Sequence, residues 1–322
     1  MNGRKALVVG IDNYENISSL YGCANDARLV KSVLARNGDS DRTKNFDVDL
    51  VIADHDNNYF LKRKELKNKV EELFKYKNDI ALFYFAGHGY VESTGGYLIT
   101  SECTSGDDGL PTNELLHIAN KSPAKNKIII LDSCHSGITG NLSPNEDKAT
   151  LNEGVTILTA SGADQYAKED NGSGVFTTLF VDAMNGGAAN IIGEVTPGSI
   201  YAHIDQSLGS WEQRPIFKTN VSNFTILRKV QPSVPLEELQ EITALFADKD
   251  APLRLDPSFE PESRHPDEQN VRKFAILQKY CKVNLVVPVN APHMWHAAMQ
   301  KQSCMLTMLG KHYWNLVDKD RI

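Results

Sequence analysis

Ile80-Ala81-Leu82-Phe83-Tyr84-Phe85-Ala86-Gly87-His88-Gly89 and Lys127-Ile128-Ile129-Ile130-Leu131-Asp132-Ser133-Cys134-His135-Ser136-Gly137 decide the fold. Each is an apolar run of strand length that ends in a small, polar, glycine-containing turn. A run without polar alternation marks a strand buried on both faces, as in a parallel sheet covered by helices above and below. In such sheets the functional groups lie beyond the carboxyl ends of the strands. As neighbours about 4.8 Å apart, these two strands would project His88 and Cys134 side by side.

Lys5–Gly10 and Val155–Ala160 have the same character, and Phe46–Ala53, which alternates, reads as a further strand. Between them lie stretches with apolar residues at helical spacing: Asn25–Gly38, with Asn25 or Asp26 at its start, then Lys62–Lys77, Leu110–Asn120 and Val175–Met184. Tyr97–Thr100 reads as a small β element, and Ile216–Lys218 and Asn223–Arg228 as closing ones. Buried strands alternating with amphipathic helices predict an α/β domain, a mostly parallel sheet with helices on both faces, over residues 1–230.

Beyond it, six prolines fall between Pro232 and Pro266. Residues 231–266 are expected to form a linker with a short helix at Leu236–Phe246. Residues 267–322 read as a small, mainly helical domain. From Val271 to Ile322 it carries eight Lys or Arg against two Asp. Leu306-Thr307-Met308-Leu309-Gly310 weakly resembles winged-helix modules. The plainer expectation is an interaction domain that docks on the rest of the chain or recruits an activating partner. No basic stripe with base-reading residues is visible, so nucleic acid is not an expected partner. Trp295 and Trp314 are expected in the core.

The bulk numbers exclude several classes. With 41% hydrophobic and 23% charged residues in 322, the composition is that of a globular protein. No apolar run reaches the ~18 residues of a membrane helix. Met1-Asn2-Gly3-Arg4-Lys5 and the short run after it do not form a secretory leader, so a cytoplasmic location is expected. Five cysteines, an odd number without a C-x-x-C pair, argue against a disulfide framework or zinc module. The net charge of −7 gives no reason to expect nucleic acid, and no G-x-x-x-x-G-K-[ST] or G-x-G-x-x-G loop follows the first strand.

A cysteine beside a histidine is the pattern of nucleophilic catalysis. The thiolate attacks a carbonyl, and the imidazole takes the proton and returns it to the leaving group. The flanking glycines let a substrate backbone approach and let the Gly89 and Cys134 amides point at a developing oxyanion.

FYFAGHGY followed by LDSCHSG resembles the paired histidine and cysteine motifs of the caspase-like clan, and DSCHSG resembles its metacaspase branch. The spacing is 134 − 88 = 46 residues, near the ~50 typical of caspases. Gly22-Cys23-Ala24-Asn25-Asp26-Ala27, Thr159-Ala160-Ser161, Gly174-Val175-Phe176-Thr177 and Gln213-Arg214-Pro215 extend the resemblance from Lys5 to about Arg228. It implies a cysteine endopeptidase with Cys134 as nucleophile and His88 as base, acting on proteins or peptides. Caspases carry Gln two residues before the nucleophile, whereas this chain has Asp132. By resemblance to metacaspases, Asp26 and Asp132 line an acidic pocket. A carboxylate pair suits Arg, whose planar fork it can hold, over Lys. Asp164 and Glu169 are candidate additions to that pocket.

No cofactor is demanded by these residues. Many metacaspases need calcium, and Asp107-Asp108-Gly109 is the candidate loop, although adjacent aspartates are commonplace in loops. Lys148, in the polar segment Ile138–Gly154, is a candidate site of self-cleavage. His135, His117, Cys23 and Cys103 read as structural or surface residues, and His293 and His296 as packing ones. Regulated stress or defence signalling is implied by the resemblance alone. The alternatives are a catalytically silent scaffold acting through residues 267–322, and a ligase acting at Asn, which the acidic pocket disfavours.

Overall fold

The computed structural model describes residues 3–92, 95–133, 150–160, 169–170, 173–209 and 214–322. They form two compact units, residues 1–189 with 194–231 and residues 190–193 with 232–322.

The first unit is built on a six-stranded sheet. Its strands are β1 (Arg4–Ile11), β2 (Asp47–Ala53), β3 (Ile80–Ala86), β4 (Asn126–Asp132), β5 (Val155–Thr159) and β6 (Ile216–Asn220). The spatial order is β6-β5-β4-β3-β1-β2, with every pair parallel except β6–β5. The connecting helices are α1 (Cys23–Ala35), α2 (Arg63–Phe74), α3 (Thr112–Lys121), α4 (Val175–Asp182) and α5 (Pro197–Ser207). Alternation along the strands sorts the core into two layers. Leu7, Val9, Phe83, Phe85, Ile129 and Leu131 face one layer with α2 and α3. Val8, Leu82, Tyr84, Ile128 and Ile130 face the other with α1, α4 and α5. Each fully buried side chain of this size stabilises the fold by roughly 1.5–3 kcal/mol.

Gly10 shows how closely α1 lies on the sheet. A Cβ there would sit 2.4 Å from the Cys23 carbonyl oxygen and 2.8 Å from the Ala27 Cβ. The β3 and β4 strands run in register from Ile80↔Asn126 to Ala86↔Asp132, and the Gly87 amide still donates to the Asp132 carbonyl at 3.4 Å. After His88, Gly89–Glu92 pairs with Gly95–Leu98 as a short antiparallel hairpin. Asn223–Arg228 does not form the expected closing strand. Only Arg228–Lys229 pairs, with Glu194–Val195, while Arg228 is buried and donates to the carbonyls of Met184 and Arg36.

The second unit contains α6 (Leu236–Gln240), α7 (Ile242–Leu245), β7 (Leu253–Arg254), α8 (Glu268–Lys282), β8 (Val286–Val289), α9 (Met294–Met299), β9 (Ser303–Leu306) and α10 (Met308–Asp318). Its strands form an antiparallel sheet in the order β7-β9-β8. Residues 231–266 are not a linker. Val234, Leu239, Ile242, Phe246, Leu255 and Phe259 share one core with Phe274, Leu277 and Tyr280. The prolines shape turns instead: Pro235 precedes α6, and Pro257 opens a single helical turn capped by Asp256. The winged-helix resemblance is not sustained, because only the six-residue α9 stands between β8 and β9. Thr307 of the LTxxG cue caps α10, accepting from the Gly310 amide at 3.0 Å. Trp314 packs as expected and donates to the Phe246 carbonyl, whereas Trp295 is half exposed rather than core. No described helix is long and apolar enough to cross a membrane.

Candidate active site

Ala86 stands opposite Asp132, so β3 leaves the sheet into Gly87-His88 and β4 into Ser133. Cys134 is the next residue of the chain and lies outside the described residues. So do Asp164, His135 and Lys148, and the side chain of Glu169. The expected partners on the described side are His88, Gly89, Asp26 and Asp132.

His88 is held from three directions. Its backbone N–H donates to the Tyr14 hydroxyl oxygen at 2.8 Å. The Tyr14 and His88 rings lie 4.8 Å apart between centroids. Its Nε2 is 2.8 Å from the Ser18 carbonyl oxygen. A carbonyl only accepts, so this nitrogen carries a proton, and in the neutral ring Nδ1 is left with the lone pair. The orientation therefore rests on a backbone group in the loop after β1. That loop is pinned by Glu15 N–H to the Ser101 carbonyl and Leu20 N–H to the Asp12 carbonyl. Sequence reasoning missed both Tyr14 and Ser18. A carbonyl has no residue signature, but Tyr14 is a buried tyrosine whose hydroxyl needs a partner. Burial holds the Tyr14 phenol well above its usual range, so it stays neutral. Gly89 opens the hairpin next to His88 and is half-buried.

The two aspartates come together. Asp26, in the first turn of α1, and Asp132, at the end of β4, are both buried. They meet at Gly174, the residue that enters α4. A Cβ on Gly174 would lie 2.8 Å from Asp132 Oδ2 and 3.1 Å from Asp26 Oδ2. The Gly174 N–H donates to Asp26 Oδ2 at 3.0 Å, and the Thr177 hydroxyl donates to Asp132 Oδ2 at 2.7 Å. Two carboxylates so placed repel each other unless a proton or a cation is shared between them. A guanidinium, with donors spread over a plane, matches such a pair.

Asp12 takes the role at the start of α1 that Asn25 or Asp26 was expected to fill. Gly22 has no side chain to cap the helix, and the Asp12 carboxylate accepts from the Cys23 and Ala24 amides at 2.9 and 3.3 Å. Burial raises its carboxyl above the ordinary value, against those two hydrogen bonds.

The candidate calcium loop is occupied with itself. Asp108 Oδ2 accepts from the Thr104 hydroxyl and amide and from the Ser105 amide, at 2.7–3.1 Å. The Thr104 hydroxyl, followed by these amides, holds its carboxyl well below the usual range. Asp107 Oδ1 accepts from the Ser105 hydroxyl. Among the described residues, no three His, Cys, Asp or Glu side chains are grouped to hold a metal. Cys23 and Cys103 are buried and His117 is exposed. The His293 and His296 rings lie tilted at 47° to each other, centroids 5.7 Å apart.

Among curated proteins, none matches the sequence. Solved structures do match the fold. Protein GSU0716 from Geobacter sulfurreducens aligns with a TM-score of 0.52 at 16% identity, over 71% of this chain and all of that one. Caspase-1 from Spodoptera frugiperda aligns with a TM-score of 0.52 at 14% identity, over 71% of this chain and 92% of that one. The family described as "Caspase domain" matches residues 3–235, more than half of the chain. With a six-stranded sheet of this order and His88 and Ser133 leaving adjacent strand ends, the chain belongs to the Caspase domain family, a family of cysteine peptidases.

Proposed function

We propose that this chain is a cysteine endopeptidase that cleaves after Arg, and less well after Lys, with Cys134 as nucleophile and His88 as general base. Convergence of Asp26 and Asp132 on Gly174 carries the specificity. Family membership and the register of β3 with β4 support the dyad.

The chemistry follows from the tautomer. With Nε2–H committed to the Ser18 carbonyl, His88 Nδ1 is the atom able to take the Cys134 proton. The thiolate adds to the scissile carbonyl, and the Gly89 and Cys134 amides stabilise the oxyanion. The proton on Nδ1 passes to the leaving amine, and a thioester to Cys134 remains. His88 then deprotonates a water that attacks the thioester, and the acid product leaves as Cys134 is regenerated. While His88 is an imidazolium, the Ser18 carbonyl shares part of its charge. The substrate guanidinium sits between Asp26 and Asp132, with Asp164 and Glu169 as further acidic groups of the pocket.

Residues 267–322, with their basic surplus, are proposed to dock an activating partner, in a cytoplasmic stress or defence response. Self-cleavage after Lys148 is a further part of the same proposal.

Fluorogenic peptides ending in Arg, Lys, Asp or Asn, with Cys134→Ala as control and with and without calcium, test the reading. Release after Arg that vanishes in Cys134→Ala supports it. Cleavage after Asp overturns the pocket assignment and leaves the dyad. No turnover under any condition favours the silent scaffold.

A further inference from the structure

Tyr84 is the one polar side chain in the strand IALFYFA, and it is fully buried. A buried phenol needs a hydrogen-bond partner. The phenol oxygen lies 2.5 Å from Thr177 Oγ1, a fully buried hydroxyl 93 residues away in the first turn of α4. Thr177 in turn donates its single hydroxyl proton to Asp132 Oδ2 at 2.7 Å. A carboxylate oxygen accepts, so the direction of the chain is fixed: Tyr84 donates to Thr177, and Thr177 donates to Asp132. Burial, then the charges of Asp132 and Asp26, hold the Tyr84 phenol well above its usual range, so it remains a donor.

The register explains why these residues meet. Tyr84 pairs with Ile130 and lies one same-face position below Ala86, which is opposite Asp132. Tyr84 therefore stands beneath the end of β4 on the α1–α4 face. The start of α4 closes the arrangement from above. Its Gly174 amide reaches Asp26 and its Thr177 hydroxyl reaches Asp132, so one helix start touches both carboxylates.

We propose that Tyr84 and Thr177 are positioning residues that fix the plane of the Asp132 carboxylate for the guanidinium of a substrate arginine. This rests on the reading of Asp132 as a specificity carboxylate. Bidentate recognition of guanidinium depends on the orientation of the carboxylate, whereas an ammonium is a rotatable point charge that tolerates misorientation. Loss of the chain therefore acts on Arg more than on Lys, a signature that general loosening of the fold does not produce.

The test uses Thr177→Val, Thr177→Ser and Tyr84→Phe in the full chain. A hydrogen bond to a charged group is typically worth enough that its loss gives about a tenfold effect. Thr177→Val is expected to raise KM for an Arg peptide about tenfold, with kcat little changed and the Arg-over-Lys preference reduced. Thr177→Ser restores the wild-type values, and Tyr84→Phe gives a smaller rise in the same direction. A second readout does not need turnover. In the Cys134→Ala protein, the carboxyl carbon of Asp132 is titrated by NMR, and Thr177→Val is expected to move its midpoint upward because a donor to the anion is lost. An unchanged midpoint together with an unchanged Arg-to-Lys ratio overturns the proposal, as does an equal loss on both peptides that Thr177→Ser fails to rescue. If Thr177→Val does not fold, the same two readouts on Tyr84→Phe decide. Absence of Arg turnover in the wild-type chain defeats the protease reading by itself, while the midpoint still decides whether Thr177 holds Asp132.

Discussion

Gly174→Ala is the sharpest test of the acidic pair. The added methyl would lie 2.8 Å from Asp132 Oδ2 and 3.1 Å from Asp26 Oδ2. Neither oxygen is at the free end of a flexible surface chain. Both carboxylates are buried, and each of these oxygens already accepts a hydrogen bond. At Gly174 φ is −67° and ψ is 135°, values any residue adopts, so the cost is contact and not backbone strain. Overpacking of this kind costs about 1–3 kcal/mol, and in a unit of this size that lowers Tm by about 2–12 °C. A second consequence is separable from the first. The methyl occupies the space between the carboxylates, so KM for an Arg peptide should rise about tenfold or more while the amide still donates to Asp26. Differential scanning calorimetry gives the first effect and peptide hydrolysis the second. A Gly174→Ala protein with wild-type Tm and wild-type KM for Arg would show that the two carboxylates do not converge on this point.

Asp26→Asn and Asp132→Asn should each lower kcat/KM for Arg peptides by about tenfold to a hundredfold through KM, as expected for losing one charged hydrogen-bonding partner; an unchanged kcat/KM removes the pocket assignment. Tyr14→Phe leaves the His88 N–H without its acceptor and should destabilise the fold by about 1–3 kcal/mol, measured by urea unfolding, with kcat falling as His88 loosens. The Asp12 carboxyl is raised in the folded chain, so the folded state holds its proton to higher pH than the unfolded state does, and that contribution to stability is lost as pH rises through the raised value. Asp12→Asn keeps one amide-accepting oxygen and should gain on the wild type across that rise, as followed by thermal melts from pH 3.5 to 7. Burial pushes the Cys304 thiol up to about 12, so iodoacetamide at pH 7.5 should leave Cys304 unlabelled in the folded chain and label Cys134 first, as read by peptide mass spectrometry.

Much of the first unit was legible because its signals are local. Four of the six sheet strands, β1, β3, β4 and β5, are mainly apolar runs, β2 alternates, and the helices between them repeat apolar residues at 3–4 positions. His88 stands out as a histidine between two glycines at the end of an apolar run, whereas Asp26 and Asp132 are singled out by the resemblance to metacaspases alone, since an acidic residue in the first turn of a helix is commonplace. What escaped is non-local or carries no side-chain signature. Ser18 acts through its carbonyl, which any residue would supply. The bond from Tyr84 to Thr177 joins residues 93 apart, and only the partner identifies the tyrosine as more than core. Residues 231–266 were misread for a different reason. Their prolines advertise turns, but Val234, Leu239, Ile242 and Phe246 recur between them and are buried with α8. Turn density alone therefore does not distinguish a linker from a compact segment of short elements.

The three aspartates at this end of the sheet divide their hydrogen bonds in a way that bears on the proposed pocket. A helix start with glycine at its N-cap would ordinarily draw an acidic residue of its own first turn toward the unsatisfied amides. Asp26 is that residue, and had it capped α1 its carboxylate would face the helix axis. Asp12, from the loop after β1, binds the Cys23 and Ala24 amides instead. Asp26 is thereby released to accept from Gly174, across 148 residues of chain, where it meets Asp132. The same loop supplies Tyr14 and Ser18 to His88. Residues 12–18 thus set both the proton-bearing nitrogen of the histidine and the outward turn of Asp26. A substitution at Asp12 that cannot accept a hydrogen bond, such as Asp12→Ala, should pull Asp26 back toward the helix start and weaken Arg selection at a site Asp12 does not touch. The measurement is the Arg-to-Lys ratio of kcat/KM, which should fall in Asp12→Ala and recover in Asp12→Asn. A ratio unchanged in Asp12→Ala would mean that the placement of Asp26 does not depend on Asp12.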